Sequence, residues 1–154
     1  MSIDVHSTAF REGEMIGTQF TGDGEDVSPP LAWEDLPDGT KELALICDDP
    51  DAPTAQPWVH WVLYNIPTAT SGLPKGVQPS HLPDGTREGV NDSNRTGYGS
   101  PCPPVGRHRY YFKLYALDTT LRGLNLPTKA DLETAMAGHV LAEAVLMGHY
   151  QKGG

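Results

Sequence analysis

Acidic and imidazole side chains stand at the ends of apolar runs in this chain. The run Leu43–Cys47 leads into a proline-containing turn that carries Asp49 and Asp51, and His60 stands near the start of the following run. His108 begins a third run further along the chain. Short apolar runs rich in β-branched and aromatic residues are typical of strands, and loops at strand ends place polar groups over a rigid sheet. We therefore expect these four polar residues to line one pocket.

Two further features are expected to complete this pocket. Tyr110 is two residues beyond His108, so the two side chains share one face of a strand and the tyrosine hydroxyl can join the group. A glycine- and proline-rich loop before His108 would roof the pocket. The residues assigned to that roof are Ser100, Pro101, Cys102, Pro103 and Pro104.

These residue types allow three kinds of site. In an anion pocket, imidazole, hydroxyl and backbone donors bind a phosphate or carboxylate, while the aspartates orient the histidines and keep them protonated near neutral pH. Two histidines with carboxylates are also ligands for zinc or iron, although no tight spacing such as His-x-His is present. Ser100 or Cys102 would be the nucleophile of a covalent mechanism, but a proline follows Ser100 where an oxyanion-binding N–H is usual. The residue types favour the anion pocket, and the other two kinds of site stay open.

The elements that position these residues are mostly strands. Lys41–Cys47 contains an uninterrupted apolar run, which predicts a central strand buried on both faces. Val59–Ile66 is predicted as the second central strand, ended by Pro67. His108–Asp118 alternates with a period of two and is the clearest strand of the chain.

The end of the chain is predicted to be helical. Thr128 with Asp131 three residues later forms a capping-box pattern, and Leu132, Met136 and Val140 then share one helical face. Gly138 would split this segment into two helices, with Gly148 as the final cap. Strands followed by helices predict a mainly β fold with C-terminal helices, of the α+β class.

Length and charge limit the classes of function. A chain of 154 residues is expected to form one domain, residues 1–154. The net charge of −9 argues against nucleic acid or an anionic membrane surface as the main partner. No window has the roughly 18 consecutive apolar residues of a membrane span, and the N-terminus has no pattern of a secretion signal. We therefore expect a cytoplasmic protein, without integral membrane association, whose two cysteines stay reduced.

Four blocks of the sequence resemble the phosphatidylethanolamine-binding protein family, in particular its bacterial and archaeal Raf kinase inhibitor-like branch. They occur in the order that this family shows, and the resemblance extends over roughly residues 17 to 150. The blocks are Asp49-Pro-Asp-Ala-Pro53, Trp58-Val-His60, Gly99-Ser-Pro-Cys-Pro-Pro104 and His108-Arg-Tyr110.

The resemblance implies a central antiparallel sheet packed on a smaller sheet, with C-terminal helices beside the mouth of a pocket. It implies that Asp49, Asp51, His60, His108, Tyr110 and the loop from Ser100 to Pro104 line this pocket. It further implies a small anionic ligand, such as phosphate, an acetate-like ion or a phosphorylated head group, and a homodimer.

Residues and resemblance together favour a non-catalytic binding protein for a small anion, with a regulatory role and without metal, cofactor or catalytic residue. Two alternatives stay open. One is a protein that inhibits a protease or kinase through its proline-rich surface loops. The other is a hydrolase that uses His60 and His108 with Asp49 as the orienting carboxylate.

Overall fold

The computed structural model describes residues 3–99 and 106–151. The strands and the helix of these residues follow the chain in this order: β1 (Asp4–His6), β2 (Leu31–Glu34), β3 (Glu42–Asp49), β4 (Trp58–Pro67), β5 (Gly72–Leu73), β6 (Arg87–Glu88), β7 (Arg107–Leu117), α1 (Lys129–Met136) and β8 (Val140–Gln151).

The strands form two antiparallel sheets. The larger sheet has the order β6-β4-β3-β7-β8, and the smaller sheet has the order β1-β2-β5. The prediction of a mainly β, α+β fold with a central antiparallel sheet packed on a smaller one is confirmed.

Strand β3 is the centre of the molecule, and all eight of its residues are buried. On one face Leu45 and Cys47 pack in a cluster that includes Val5 and Trp33 of the smaller sheet. On the other face Ile46 packs in a second cluster, which includes two residues of helix α1. A strand covered on both faces has no need for polar alternation, which explains the continuous apolar run in the sequence.

Helix α1 closes the second cluster with Leu132 and Met136. Its start matches the prediction, because the Asp131 N–H donates to the Thr128 hydroxyl while the Thr128 N–H donates to the Asp131 carboxylate. Within residues 3–99 and 106–151 no helix has the length and apolar character that crossing a membrane requires.

The prediction of a second helix after Gly138 is wrong. Residues Val140–Gln151 form β8, which pairs with β7 along nearly its whole length. Ala144, Leu146 and Tyr150 face the core with a period of two. Gly148, predicted as a helix cap, instead lies in this strand, where a Cβ atom would collide with Ile16.

Candidate functional site

The acidic end of β3 holds a buried carboxylate–imidazole pair. Asp49 is paired with His108 at the start of β7, and the His108 Nδ1–H donates to Asp49 Oδ2 over 2.6 Å. The two residues are only 3% and 7% exposed. Because Nδ1 carries this proton, Nε2 of His108 is an acceptor in the neutral ring and a donor in the protonated ring. Asp49 therefore fixes both the orientation and the tautomer of His108.

The turn after β3 folds back on the same carboxylate. The backbone N–H of Asp51 donates to Asp49 Oδ1 over 2.8 Å, so that both oxygens of Asp49 accept a hydrogen bond. A carboxylate held by two donors on different segments has little freedom to rotate. Asp49 is thus a rigid support for the imidazole of His108.

His60 occupies a β-bulge in β4. Cys47 pairs with Trp61 and Asp48 pairs with Val59, so His60 is the extra residue between them. Val59 lies in the cluster beneath helix α1, whereas Trp61 lies in the cluster between the sheets. The bulge therefore breaks the alternation and lets His60 share the face of Trp61. On this face the ring of His60 meets the ring of Tyr110 edge-on, with 5.4 Å between centroids.

At the bulge, β4 forms hydrogen bonds with the loop that precedes residue 100. The Gly99 N–H donates to the His60 carbonyl over 2.7 Å, and the His60 Nδ1–H donates to the Gly99 carbonyl over 2.5 Å. One residue earlier, the Val59 N–H donates to Asp92 Oδ2 over 2.7 Å, and the Asp92 N–H donates to the Val59 carbonyl. These four bonds satisfy the backbone groups that the sheet leaves open here.

The remaining ring nitrogen of His60, Nε2, is buried and has no hydrogen-bond partner among the described residues. Burial lowers the pKa of His60, and the Gly99 carbonyl and the charge of Asp49 only partly offset this effect. The neutral ring, protonated at Nδ1, thus presents Nε2 as an acceptor. The expectation that aspartates keep His60 protonated near neutral pH is wrong for the site as described.

The carboxylate of Asp51 is bound by Arg109. It accepts from the Arg109 backbone N–H, from Nε and from Nη2, each over 2.9 Å. These hydrogen bonds lower the pKa of Asp51. Arg109 is the neighbour of His108 on β7 and points to the other side of the strand, as alternation along a strand requires. Asp51 therefore joins the acidic turn to β7, and its carboxylate is already occupied by this cation.

Two residues that the sequence interpretation did not assign to the site support it. Asp48 is 1% exposed and accepts from both Lys113 and Lys129, which joins β3 to β7 and to helix α1. Asp92 anchors the bulge through Val59. The sequence signal for Asp92 was the turn-forming stretch of residues 91–94, but a turn pattern does not reveal its distant partner.

One group among the described residues could hold a metal ion, and it contains none of the candidate-site residues. Asp4 and His6 of β1 lie beside Glu34 of β2, with ligand atoms within 4.8 Å of one another, and all three are exposed. At the candidate site both Nδ1 atoms are already engaged, by Asp49 and by the Gly99 carbonyl. Ligation there would thus have to involve Nε2 of each ring.

Comparison with known proteins identifies the class of domain to which this arrangement belongs. A family model described as phosphatidylethanolamine-binding protein matches residues 6–151, nearly the whole chain. The chain belongs to the phosphatidylethanolamine-binding protein family.

Relatives of similar length share this family's domain. A UPF0098 protein of Methanothermobacter thermautotrophicus is 50% identical and covers 99% of this chain and 100% of its own. A UPF0098 protein of Aquifex aeolicus is 43% identical over 97% of this chain and 89% of its own. A solved phosphatidylethanolamine-binding protein homologue from Chlamydia trachomatis has a TM-score of 0.91 and 39% identity, covering 98% of each chain. Escherichia coli YbcL, described as a member of the mammalian family, has a TM-score of 0.91 and 32% identity, covering 98% of this chain and 99% of its own.

The family resemblance predicted from the sequence is thereby confirmed. Within this phosphatidylethanolamine-binding protein domain, the structure brings together Asp49, His60, His108 and Tyr110, whereas the carboxylate of Asp51 binds Arg109. The remaining residues assigned from the sequence lie outside the described residues. They are Ser100, Pro101, Cys102, Pro103 and Pro104.

Proposed function

We propose that this protein is a non-catalytic binding protein for a small anion, held between His60 and His108. The ligand is a phosphate, a phosphorylated head group or a carboxylate. The observation that carries the proposal is the buried Nε2 of His60, which has no hydrogen-bond partner among the described residues. Buried polar atoms in folded proteins are nearly always paired, so such an atom calls for a partner beyond the described residues, and we propose that an anion provides it.

The protonation of His60 sets the form of ligand that binds. A neutral imidazole with its proton on Nδ1 offers a lone pair at Nε2, and an oxyanion offers lone pairs as well. One proton must therefore lie between them. It is supplied either by the ligand, as in hydrogen phosphate, or by uptake at His60. Anion binding at this site is accordingly expected to be favoured by low pH.

The Asp49–His108 pair provides the second contact. Asp49 holds the ring of His108 in one orientation, and such preorganisation reduces the entropy lost when a ligand binds. The ring of Tyr110 separates the pocket from the core between the sheets, since Tyr110 is 1% exposed and packs in that cluster.

Calorimetric titration with inorganic phosphate and with acetate tests this proposal. We expect His60→Gln and His108→Gln to weaken binding about tenfold or more, the cost of losing a charge-assisted hydrogen bond. His139→Gln is the matched control, because His139 also donates from Nδ1 to an aspartate, Asp118, but at an exposed position. Equal affinities for the wild type and both pocket variants would contradict the proposal.

Hydrolysis is a second candidate, because an aspartate-oriented histidine is also the arrangement of a general base. In that case the protein would turn over phosphate or carboxylate esters, and both Asp49→Asn and His108→Gln would abolish turnover. Assays with p-nitrophenyl phosphate and p-nitrophenyl acetate distinguish the two candidates. Binding without turnover supports the binding protein, and turnover that depends on His108 supports the hydrolase.

Three expectations from the sequence stay predictions. They are a homodimer, a cytoplasmic location and the inhibition of a protease or kinase through surface loops. Sedimentation analysis tests the first. Inhibition that survives loss of both His60 and His108 would separate the third from anion binding.

A further inference from the structure

A second cleft lies at the opposite end of the five-stranded sheet from the candidate site. It has a volume of about 530 Å³ and lies among the start of β3, the end of β4, strand β6 and the loop 120–124 after β7. His60 and Asp49 stand at the other ends of β4 and β3. The volume falls within the range of about 300 to 1,000 Å³ that is typical of small-molecule sites.

The lining of this cleft is basic in a strongly acidic protein. Lys41, Arg87 and Arg122 line it, while the chain as a whole has a net charge of −9. Within residues 3–99 and 106–151 none of these three cations forms an ion pair. Lys113 and Lys129, by contrast, share Asp48. The cations of the cleft are therefore available to a ligand.

Glu42, the acidic residue of the lining, forms no ion pair with these cations among the described residues. Glu42 is 4% exposed, and its two oxygens accept from the Asn65 side-chain amide and from the Leu121 backbone N–H. The Asn65 amide also donates to the Leu121 carbonyl over 3.0 Å. Glu42 thus serves to fix the loop that carries Arg122 against the ends of β3 and β4.

We propose that this cleft binds a small polyanion, a molecule that carries at least two phosphate or carboxylate groups. Guanidinium groups bind such groups through paired hydrogen bonds, and two arginines with one lysine can engage two anionic groups at once. The loop fixed by Glu42 and Asn65 provides a rigid wall, which lowers the cost of ordering on binding. This site is separate from the proposed anion pocket and does not depend on it.

The two sites are distinguished by their response to pH. Arginine and lysine keep their charge across the neutral range, while phosphate and carboxylate groups complete their ionisation there, so polyanion binding at the cleft is expected not to weaken between about pH 6 and about pH 8. Binding at His60 requires one proton and weakens as pH rises.

The test is an NMR titration of the full chain with pyrophosphate and with citrate, up to about 10 mM. We expect saturable shifts at the backbone amides of Lys41, Arg87 and Arg122. The double variant R87Q/R122Q should weaken this binding about tenfold or more. The matched control R11Q/R95Q removes two other exposed cations and the same charge, and it should leave the affinity within about twofold.

Three results would overturn the proposal. They are the absence of saturable shifts at the cleft, an equal loss of affinity in R11Q/R95Q, and full affinity in R87Q/R122Q. His60→Gln and His108→Gln provide the separation from the proposed function. If these variants lose phosphate binding but keep pyrophosphate binding at the cleft, the two sites are independent, whereas loss of both would contradict a separate cleft site.

Discussion

Asp48 and Asp49 are consecutive residues of β3, and their carboxylates lie on opposite faces of the sheet. Asp48 Oδ2 accepts from Lys113 Nζ over 3.1 Å and from Lys129 Nζ over 2.7 Å, beside helix α1. Asp49 Oδ2 accepts from His108 Nδ1 over 2.6 Å, in the candidate site. Because side chains alternate along a strand, one dipeptide can bind the helix with one carboxylate and the imidazole with the other.

Asp48→Asn is expected to lower stability and to leave anion affinity unchanged. Two largely buried ammonium groups would lose the carboxylate between them, and breaking a buried pair costs about 3–5 kcal/mol. Urea unfolding measures the stability change, and calorimetry with phosphate measures the affinity of the folded fraction. Asp118→Asn, at an exposed histidine pair, is the control and should change stability by less than about 1 kcal/mol.

Asp49→Asn is expected to reduce anion affinity about tenfold or more. An amide has a single oxygen, so it cannot accept from both the Asp51 N–H and the His108 Nδ1–H, and it no longer fixes the tautomer of His108. The substitution keeps the size of the side chain, so the fold should persist. Calorimetry with phosphate provides the measurement. An affinity equal to that of the wild type would show that the orientation of His108 has no part in binding.

Asp51→Asn is expected to leave anion affinity within about twofold, although Asp51 lies two residues from Asp49. Its carboxylate is taken by Arg109, whose side chain is 49% exposed, and exposed ion pairs contribute about 0–1 kcal/mol. Parallel titrations of Asp49→Asn and Asp51→Asn make the comparison. A loss of affinity as large as that of Asp49→Asn would place Asp51 among the ligand-binding residues after all.

The pKa of His60 is expected to lie below its usual value without an anion and to rise when an anion binds. Burial holds the pKa of His60 below the usual 6.5 of a histidine, whereas an anion at Nε2 stabilises the protonated ring and raises it. NMR titration of the ring, with and without phosphate, measures both values. A pKa above 6.5 without phosphate would contradict the environment described.

The same shift predicts how stability depends on pH. Below the unfolded pKa the unfolded chain binds a proton at His60 that the folded chain takes up less readily. The contribution of His60 to the free energy of unfolding therefore has its full value above about pH 6.5. It declines as the pH falls towards the lower pKa of the folded state. Urea unfolding of the wild type and of His60→Gln should show a smaller acid-side decline in the variant. An identical decline in both proteins would exclude His60 as its source.

Asp92→Ala is expected to destabilise the protein by about 1–3 kcal/mol and to weaken anion binding, because the Val59 N–H would lose its acceptor beside the bulge. Asp92→Asn is the matched control, since its amide oxygen can still accept this hydrogen bond. Urea unfolding and phosphate titration provide the two measurements. If both variants behave like the wild type, Asp92 does not support the position of His60.

The sequence predicted the elements whose signal is local. Strand β3 was recognisable by its continuous apolar run, β7 by its alternation and the start of α1 by its capping box. Strand β8 was not, because its alanine, leucine, methionine and glutamate residues favour helices. Pairing with β7 outweighs that preference, and such a partner cannot be read from a local pattern.

In the candidate site, too, features with a local signal were predicted and features that depend on a distant partner were not. Asp49, His60 and His108 were identified by their residue types and their positions at the ends of apolar runs. The bulge that turns His60 towards Tyr110 depends on a register shift against β3, which local sequence does not specify. Asp51 was assigned to the pocket because it lies in the same acidic turn as Asp49. Its binding to Arg109 depends on the approach of the turn to the start of β7, which local sequence does not specify.

The hydrogen bonds between His60 and Gly99 have a consequence for how binding preference could change in this family. Gly99 is fixed to β4, and Arg107 is fixed to Gln151 by strand pairing, so both flanks of segment 100–105 are held independently of the residues between them. We therefore expect changes of sequence in that interval to leave both imidazoles in place. If this interval lines the proposed anion pocket, grafting it from a relative is expected to alter ligand selectivity without moving His60 or His108.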